Sequence, residues 1–328
     1  MRRNISVSLL GLFLMCLSAC ESENNNSELT PFEPNLPGNF PQEFVVPDFN
    51  PITEQSVQLG KMLYADTDLD GTGEGRSCAG CHHADKAFTS VQEGPLNVMS
   101  HMNLAWQDVF LWQGQVEGTL EDVMLFEVKD FFKADPGRIT GKEKYKKLLA
   151  EVYGDSQITE KHLAYAIANY VRTLTSSDSK FDKIMRKEPG YAFTSSEANG
   201  WALFNSEEGD CFHCHGSFLF MDNDFHNTGL DDEWLGLDQG RFLVTGNASD
   251  MGKFKTPTLR NIELTAPYMH DGRFATLEEV VEFYSSGVKF TEMTDPMMSH
   301  EGGISLTEQE KKDLVAFLKT LTDESLKE

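Results

Sequence analysis

Basic residues are scarce in this 328-residue chain: 28 Lys and Arg stand against 52 Asp and Glu, for a formal net charge of −24 and a sequence pI near 4.7. That balance argues against binding nucleic acid or anionic lipid by charge, since like charges repel. A basic redox protein is a natural complement, and acidity also keeps an exported chain soluble; both readings stand. The alternating apolar and polar pattern of half-buried strands is almost absent, which points to a helical fold. Cysteine is also sparse, at six.

Two of the six cysteines fall within the opening "MRRNISVSLLGLFLMCLSAC", where Arg2 and Arg3 precede an apolar run too short and too early to span a membrane. Residues 1–20 read as a signal peptide. Its end, "LSAC", looks like a bacterial lipobox, so Cys20 is expected to become the lipidated first residue of the mature chain, and Cys16 to leave with the signal. Residues 21–45 are polar and proline-rich, with too little apolar surface to offset their ordering entropy, and read as a flexible tether.

The other four cysteines lie in two identical frames, "CAGCH" (Cys78, Cys81, His82) and "CFHCH" (Cys211, Cys214, His215). C-x-x-C-H is the attachment pattern of c-type haem: two thiols add to the vinyl groups and the adjacent histidine ligates the iron. A zinc knuckle or a thioredoxin-like pair also uses C-x-x-C. Zinc would need the pairs to combine in one site, yet each carries its own histidine in a separate half of the chain. Two covalent haems c are therefore expected, at His82 and His215.

Apolar residues recur at helical spacing in several places. "ITEKHLAYAIANYVRTL" aligns Leu163, Ile167, Tyr170, Val171 and Leu174, and "LTEQEKKDLVAFLKTL" opens with Thr307 and Glu310 in capping-box spacing. Thr276 and Glu279 repeat that spacing, and Leu277, Val280, Val281 and Tyr284 then share one face, so Tyr284 points inward. The charged stretch between Asp178 and Ser196 suggests a boundary between domains at 46–188 and 189–328. The expected fold is mainly α: two cytochrome c-like haem domains with long loops and little β structure. "DTDLDG" has Asp66, Asp68, Asp70 and Gly71 in EF-hand order, but Ser77 stands where a calcium loop needs glutamate, so it reads as an acidic loop. The haem motif is the one repeat expected.

Taken together, "LGKMLYADTDLDGTGEGRSCAGCH", "NLAWQDVFLWQG", "AIANYVRTL", "FNSEEGDCFHCHGSFLFMDNDFHNTGL", "FKTPTLRNIELTAPYMHDGRFATLEEVVEFY" and "LVAFLKTLT" resemble the bacterial di-haem cytochrome c peroxidases and their relative MauG, from about Leu59 to the C-terminus. The resemblance implies an N-terminal haem that reacts with peroxide, a C-terminal haem that receives electrons, and a tryptophan between them, here Trp112. It implies a calcium ion held by Asn97 and the backbone carbonyls of Thr265 and Pro267. It also places Tyr284 where the peroxidases carry a methionine ligand to the second haem and MauG carries a tyrosine. Tyr284 is thus the expected second ligand, with Met269 as alternative. A thioether favours ferrous iron; a phenolate favours ferric and higher states.

Departures matter equally. The position of the family's distal histidine is occupied near Thr89, and the nearest histidine, His101, reads as a satisfied core residue, so the first haem is expected to be open on its distal side. Val123 replaces a family glutamine. Glu127, in an apolar helical stretch, is the candidate acid for peroxide cleavage, and a surface glutamate is the competing reading. The resemblance implies a peroxidase that reduces hydrogen peroxide with electrons from a small periplasmic cytochrome c or cupredoxin. Alternatives are a MauG-like oxidase that modifies a partner protein, and a non-enzymatic electron carrier. The chain is expected to be exported and lipid-anchored facing the periplasm, with a homodimer left open.

Overall fold

The computed structural model describes residues 29–90, 94–298 and 302–326. The expected signal peptide, Cys20 and the start of the tether lie outside the described residues. As expected, the fold is mainly α, and its strands among the described residues form two short antiparallel pairs. Val109–Phe110 (β1) pairs with Val116–Glu117 (β2), and Phe225–His226 (β3) with Phe254–Lys255 (β4). No described helix is long and apolar enough to cross a membrane.

Each half is organised around one helix crossing. Glu54–Tyr64 crosses Glu160–Arg172, and Ser195–Phe204 crosses Glu308–Lys319. A glycine permits each close approach. A Cβ on Gly60 would lie 1.9 Å from the Ala166 carbonyl oxygen, and one on Gly200 would lie 2.0 Å from that of Asp313. Leu163, Ile167 and Val171 are fully buried in a first core running from Leu59 to Leu174, while Leu314, Leu318 and Leu321 join a second running from Phe181 to Leu321. The capping boxes at Thr276/Glu279 and Thr307/Glu310 are formed.

The halves repeat far more than the haem motif. Asn103 and Asn261 both adopt left-handed backbone, at φ 59° and 61°. Each donates its N–H to a leucine carbonyl, Leu174 at 2.8 Å and Leu321 at 3.0 Å. Each accepts at its side-chain oxygen from a backbone N–H two residues beyond that leucine, Ser176 and Asp323, at 2.9 Å in both cases. Asn103 and Asn261 are 158 positions apart in the chain, and the same offset relates Ser100 to Thr258, Asn97 to Lys255 and Trp112 to His270. The hydroxyls of Ser100 and Thr258 donate to the carbonyls of Ala87 and Leu219. The expectation that only the haem motif repeats is therefore corrected: loops of unequal length hide a structural duplication.

The halves meet across this pseudo-symmetry. Asn97 donates its N–H to the His270 carbonyl at 2.6 Å, and its counterpart Lys255 donates to the carbonyl of Trp112, the counterpart of His270, at 2.8 Å.

Candidate di-haem site

Each C-x-x-C-H segment forms a one-turn helix at the wall of a largely apolar cavity. Cys78, Cys81 and His82 line the first cavity; Cys211, Cys214 and His215 line the second. The His82 Nδ1 lies 2.7 Å from the Phe88 carbonyl and the His215 Nδ1 lies 2.6 Å from that of Phe220. Both phenylalanines take positive φ, 57° and 53°, which turns their carbonyls back onto the rings. Donating Nδ1–H fixes the tautomer and leaves Nε2 as the free donor, the arrangement of a metal-ligating histidine. Burial pulls the His82 pKa down to about 4 and also lowers that of His215, so both rings stay neutral and able to ligate. Two thiols, a neutral imidazole and an apolar cavity in each half fit a covalent haem.

Trp112 lines both cavities and is buried between them, its indole N–H donating to the Asn97 carbonyl at 2.8 Å. Gln113 donates to the Leu237 carbonyl at 3.1 Å and so ties the tryptophan turn to the second half.

Glu127 lines the first cavity at the start of a π-helical turn, Glu127–Phe131, where the α-helix Leu120–Phe126 ends. Its carboxyl pKa is pushed up to about 7 by burial, and no hydrogen bond to its side chain is found among the described residues. π-turns of this kind gather at functional sites. Tyr284 lines the second cavity in the corresponding π-turn, Phe283–Gly287, after the helix Leu277–Glu282. Burial raises the phenol's pKa, and the neighbouring Cys214 and Cys211 thiols add to the rise. Glu127 in turn raises the pKa of Cys78, after burial. Each side chain thus lines the cavity that also holds the cysteines of its own half. Aligning "TLEDVMLFE" with "TLEEVVEFY" makes the match visible in sequence, a signal that the motif reading missed.

Met269 lines both cavities and takes φ 72°, matching Leu111 at φ 68° in the first half. His270 stacks on Phe254 at 3.6 Å between ring centroids and lies 3.2 Å from the Asp238 carboxylate. His101 stacks on His82 at 3.4 Å, and its Nδ1 lies 3.1 Å from the Tyr64 hydroxyl. It thus flanks the proximal imidazole, and Thr89 is buried with its hydroxyl on the Val98 carbonyl. His83 is exposed.

Asn97 comes together with the segment expected to share calcium: its side-chain amide donates to the carbonyls of Pro267 at 2.5 Å and Met269 at 3.2 Å, and Thr265 lines the same cavity. A cation there would need the amide turned over, so that its oxygen joins the carbonyls. The resulting oxygen set suits calcium in type, although it carries no carboxylate. The acidic loop holds no such site. Asp70 accepts from Thr72 and Arg76, and Asp66 from Tyr145 and Lys142, so these carboxylates are already satisfied.

Comparison with known proteins agrees with the geometry. A family profile for di-haem cytochrome c peroxidase matches residues 54–190, and one for cytochrome c matches residues 197–322. The chain is 30% identical to the methylamine utilization protein MauG of Methylophilus methylotrophus, over 88% of both chains. It is also 30% identical to cytochrome c551 peroxidase of Nitrosomonas europaea, over 98% of this chain and 92% of that one. Among solved structures it resembles a MauG-like protein associated with microbial copper homeostasis, at 33% identity and TM-score 0.81, covering 90% of this chain and 96% of that one. The chain belongs to the di-haem cytochrome c peroxidase and MauG family. It is accordingly an oxidoreductase of the type that acts on peroxide with two haems c.

Proposed function

We propose that the chain is a peroxide-dependent di-haem oxidase of the MauG type, which draws electrons from a partner protein and so modifies it. The observation that carries this reading is Tyr284, a phenol lining the second cavity beside Cys211, Cys214 and His215, at the position where the first cavity holds Glu127. A phenolate on the iron that His215 would hold would favour ferric and higher oxidation states, which suits the sharing of oxidising equivalents between two centres. Met269 is the weaker candidate, because it matches Leu111 and borders both cavities rather than facing the second alone.

The haems would supply the site of peroxide cleavage and the store of oxidising equivalents. His82 and His215 would hold the irons, and the four cysteines would hold the porphyrins. Glu127 would move a proton from one peroxide oxygen to the other, its pKa near neutrality suiting both acceptance and release. His101, stacked on His82, would steady the imidazole that holds the first iron. Trp112 would carry electrons between the halves. Calcium beside Asn97, Thr265 and Pro267 would hold the junction. Export behind residues 1–20 with a lipid on Cys20 would place the enzyme at the periplasmic face of a membrane.

The second reading is a cytochrome c peroxidase, favoured by the net charge of −24, which complements a basic cytochrome or cupredoxin. Steady-state turnover with hydrogen peroxide and such a reduced donor separates the two. The first reading expects slow, weakly saturable donor oxidation; rapid saturable turnover would establish the second.

A further inference from the structure

Among the described residues, three lysine or arginine side chains are almost wholly buried: Arg172 and Lys255 at 1% exposure and Arg260 at 3%. Two have carboxylate partners. Arg172 is paired with Glu121 at 2.8 and 2.9 Å, and Arg260 with Asp182 at 2.8 and 3.0 Å. Lys255 has no ion pair among the described residues. Its Nζ meets only two neutral amides, Gln107 Oε1 at 3.3 Å and Asn223 Oδ1 at 3.0 Å. A buried ammonium without an anion is costly, and buried charges are otherwise paired. Burial accordingly pulls its pKa down to about 8, against the more distant pull of Asp222 and Asp108.

The location of Lys255 says what the missing anion is. Lys255 lines both cavities, and its N–H donates to the carbonyl of Trp112 between them. Each haem would bring two propionate carboxylates to these cavities. The pseudo-symmetry adds an independent argument. Lys255 is the counterpart of Asn97, and Gln107, which it touches, is the counterpart of Thr265 at the same offset. In one half this slot gathers an amide and carbonyls suited to a cation; in the other half a cation is built into the chain.

We propose that the Lys255 ammonium holds a haem propionate at the boundary of the two cavities, as a tethered counterpart of the cation position at Asn97. The inference rests on the two haems of the family and not on the choice of electron source. A positive charge so close to a porphyrin favours the reduced iron, which carries one less positive charge.

The test is a spectroelectrochemical titration of the holoprotein with wild-type Lys255, Lys255→Met and Lys255→Arg, after mass spectrometry has shown both haems attached. The proposal expects Lys255→Met to lower the midpoint potential of at least one haem, with the shifted spectrum identifying which, and Lys255→Arg to stay near wild type. Unchanged potentials in Lys255→Met, or an equal fall in Lys255→Arg, would overturn it. Lys255→Gln applies the same criterion should the methionine variant not fold. The fall should persist after EDTA treatment; its disappearance would assign the effect to a bound metal and refute the proposal. A chain carrying fewer than two haems would instead count against the di-haem reading itself.

Discussion

Glu127 and Tyr284 occupy one position in a duplicated structure: each is the eighth residue after an N-cap threonine, Thr119 or Thr276, and each sits in a π-turn lining the cavity that holds the cysteines of its own half. One half thereby acquires an acid and the other a phenol. If the phenol ligates iron, Tyr284→Met should exchange an anionic oxygen for a thioether and raise the potential of the second haem. The rise should be a substantial fraction of the roughly 0.8 V range that axial ligands span. A spectroelectrochemical titration checks this, and an unchanged potential would assign Tyr284 to the core.

Glu127→Gln keeps the shape and removes the titrating group. Loss of a positioned general base should slow the first step with peroxide about 10²–10⁴-fold. The wild-type rate should rise as pH increases through about 7, because the base acts when deprotonated, and the variant should lack that limb. Stopped-flow rates between pH 5 and 9 provide the test.

Stability of the first half depends on the buried pair of Arg172 and Glu121, both 1% exposed, which is joined to Asn50 and Asn169. Glu121→Ala strands the guanidinium and should cost about 3–5 kcal/mol in denaturant unfolding. An apolar double replacement of similar volume should cost much less, since breaking one partner is worse than removing both.

His226 is held between Asp295 at 2.7 Å and Asp222 at 2.8 Å. Burial works against its charge, but the two carboxylates dominate and its pKa is pushed up to about 12. A raised folded-state value means that the stabilisation is complete below pH about 6.5 and is lost progressively toward pH 12. Thermal unfolding of wild type should therefore fall in Tm over the alkaline range, and His226→Gln should flatten that slope.

The sequence was informative where chemistry or local pattern is dense. The C-x-x-C-H frames, the capping boxes at Thr276 and Thr307, and the stripe from Leu163 to Val171 all appear as short-range signals and take the form that physics expects of them. The inward course of Tyr284 followed from the same periodicity. The duplication was not legible, because insertions in surface loops change the spacing between its pieces: His82 and His215 are 133 residues apart, whereas Asn103 and Asn261 are 158 apart. Without it, Glu127 had no counterpart, and Lys255 looked like one more lysine. His101 illustrates a different limit. Its place beside His82 depends on the turn through Asn103, whose left-handed backbone no periodicity announces.

The central claim, that the two halves act on peroxide as one redox unit without a prior electron, is tested most directly by stopped-flow absorption after one equivalent of peroxide. The diferric and half-reduced proteins would be followed side by side, with Trp112→Phe as a third sample. The account predicts that the diferric protein reacts at once and that both haem spectra change, with the second change slowed in Trp112→Phe. Reaction of the half-reduced protein alone would contradict it, since a stored electron would then be required and a phenolate on the iron held by His215 would be the wrong ligand to supply it.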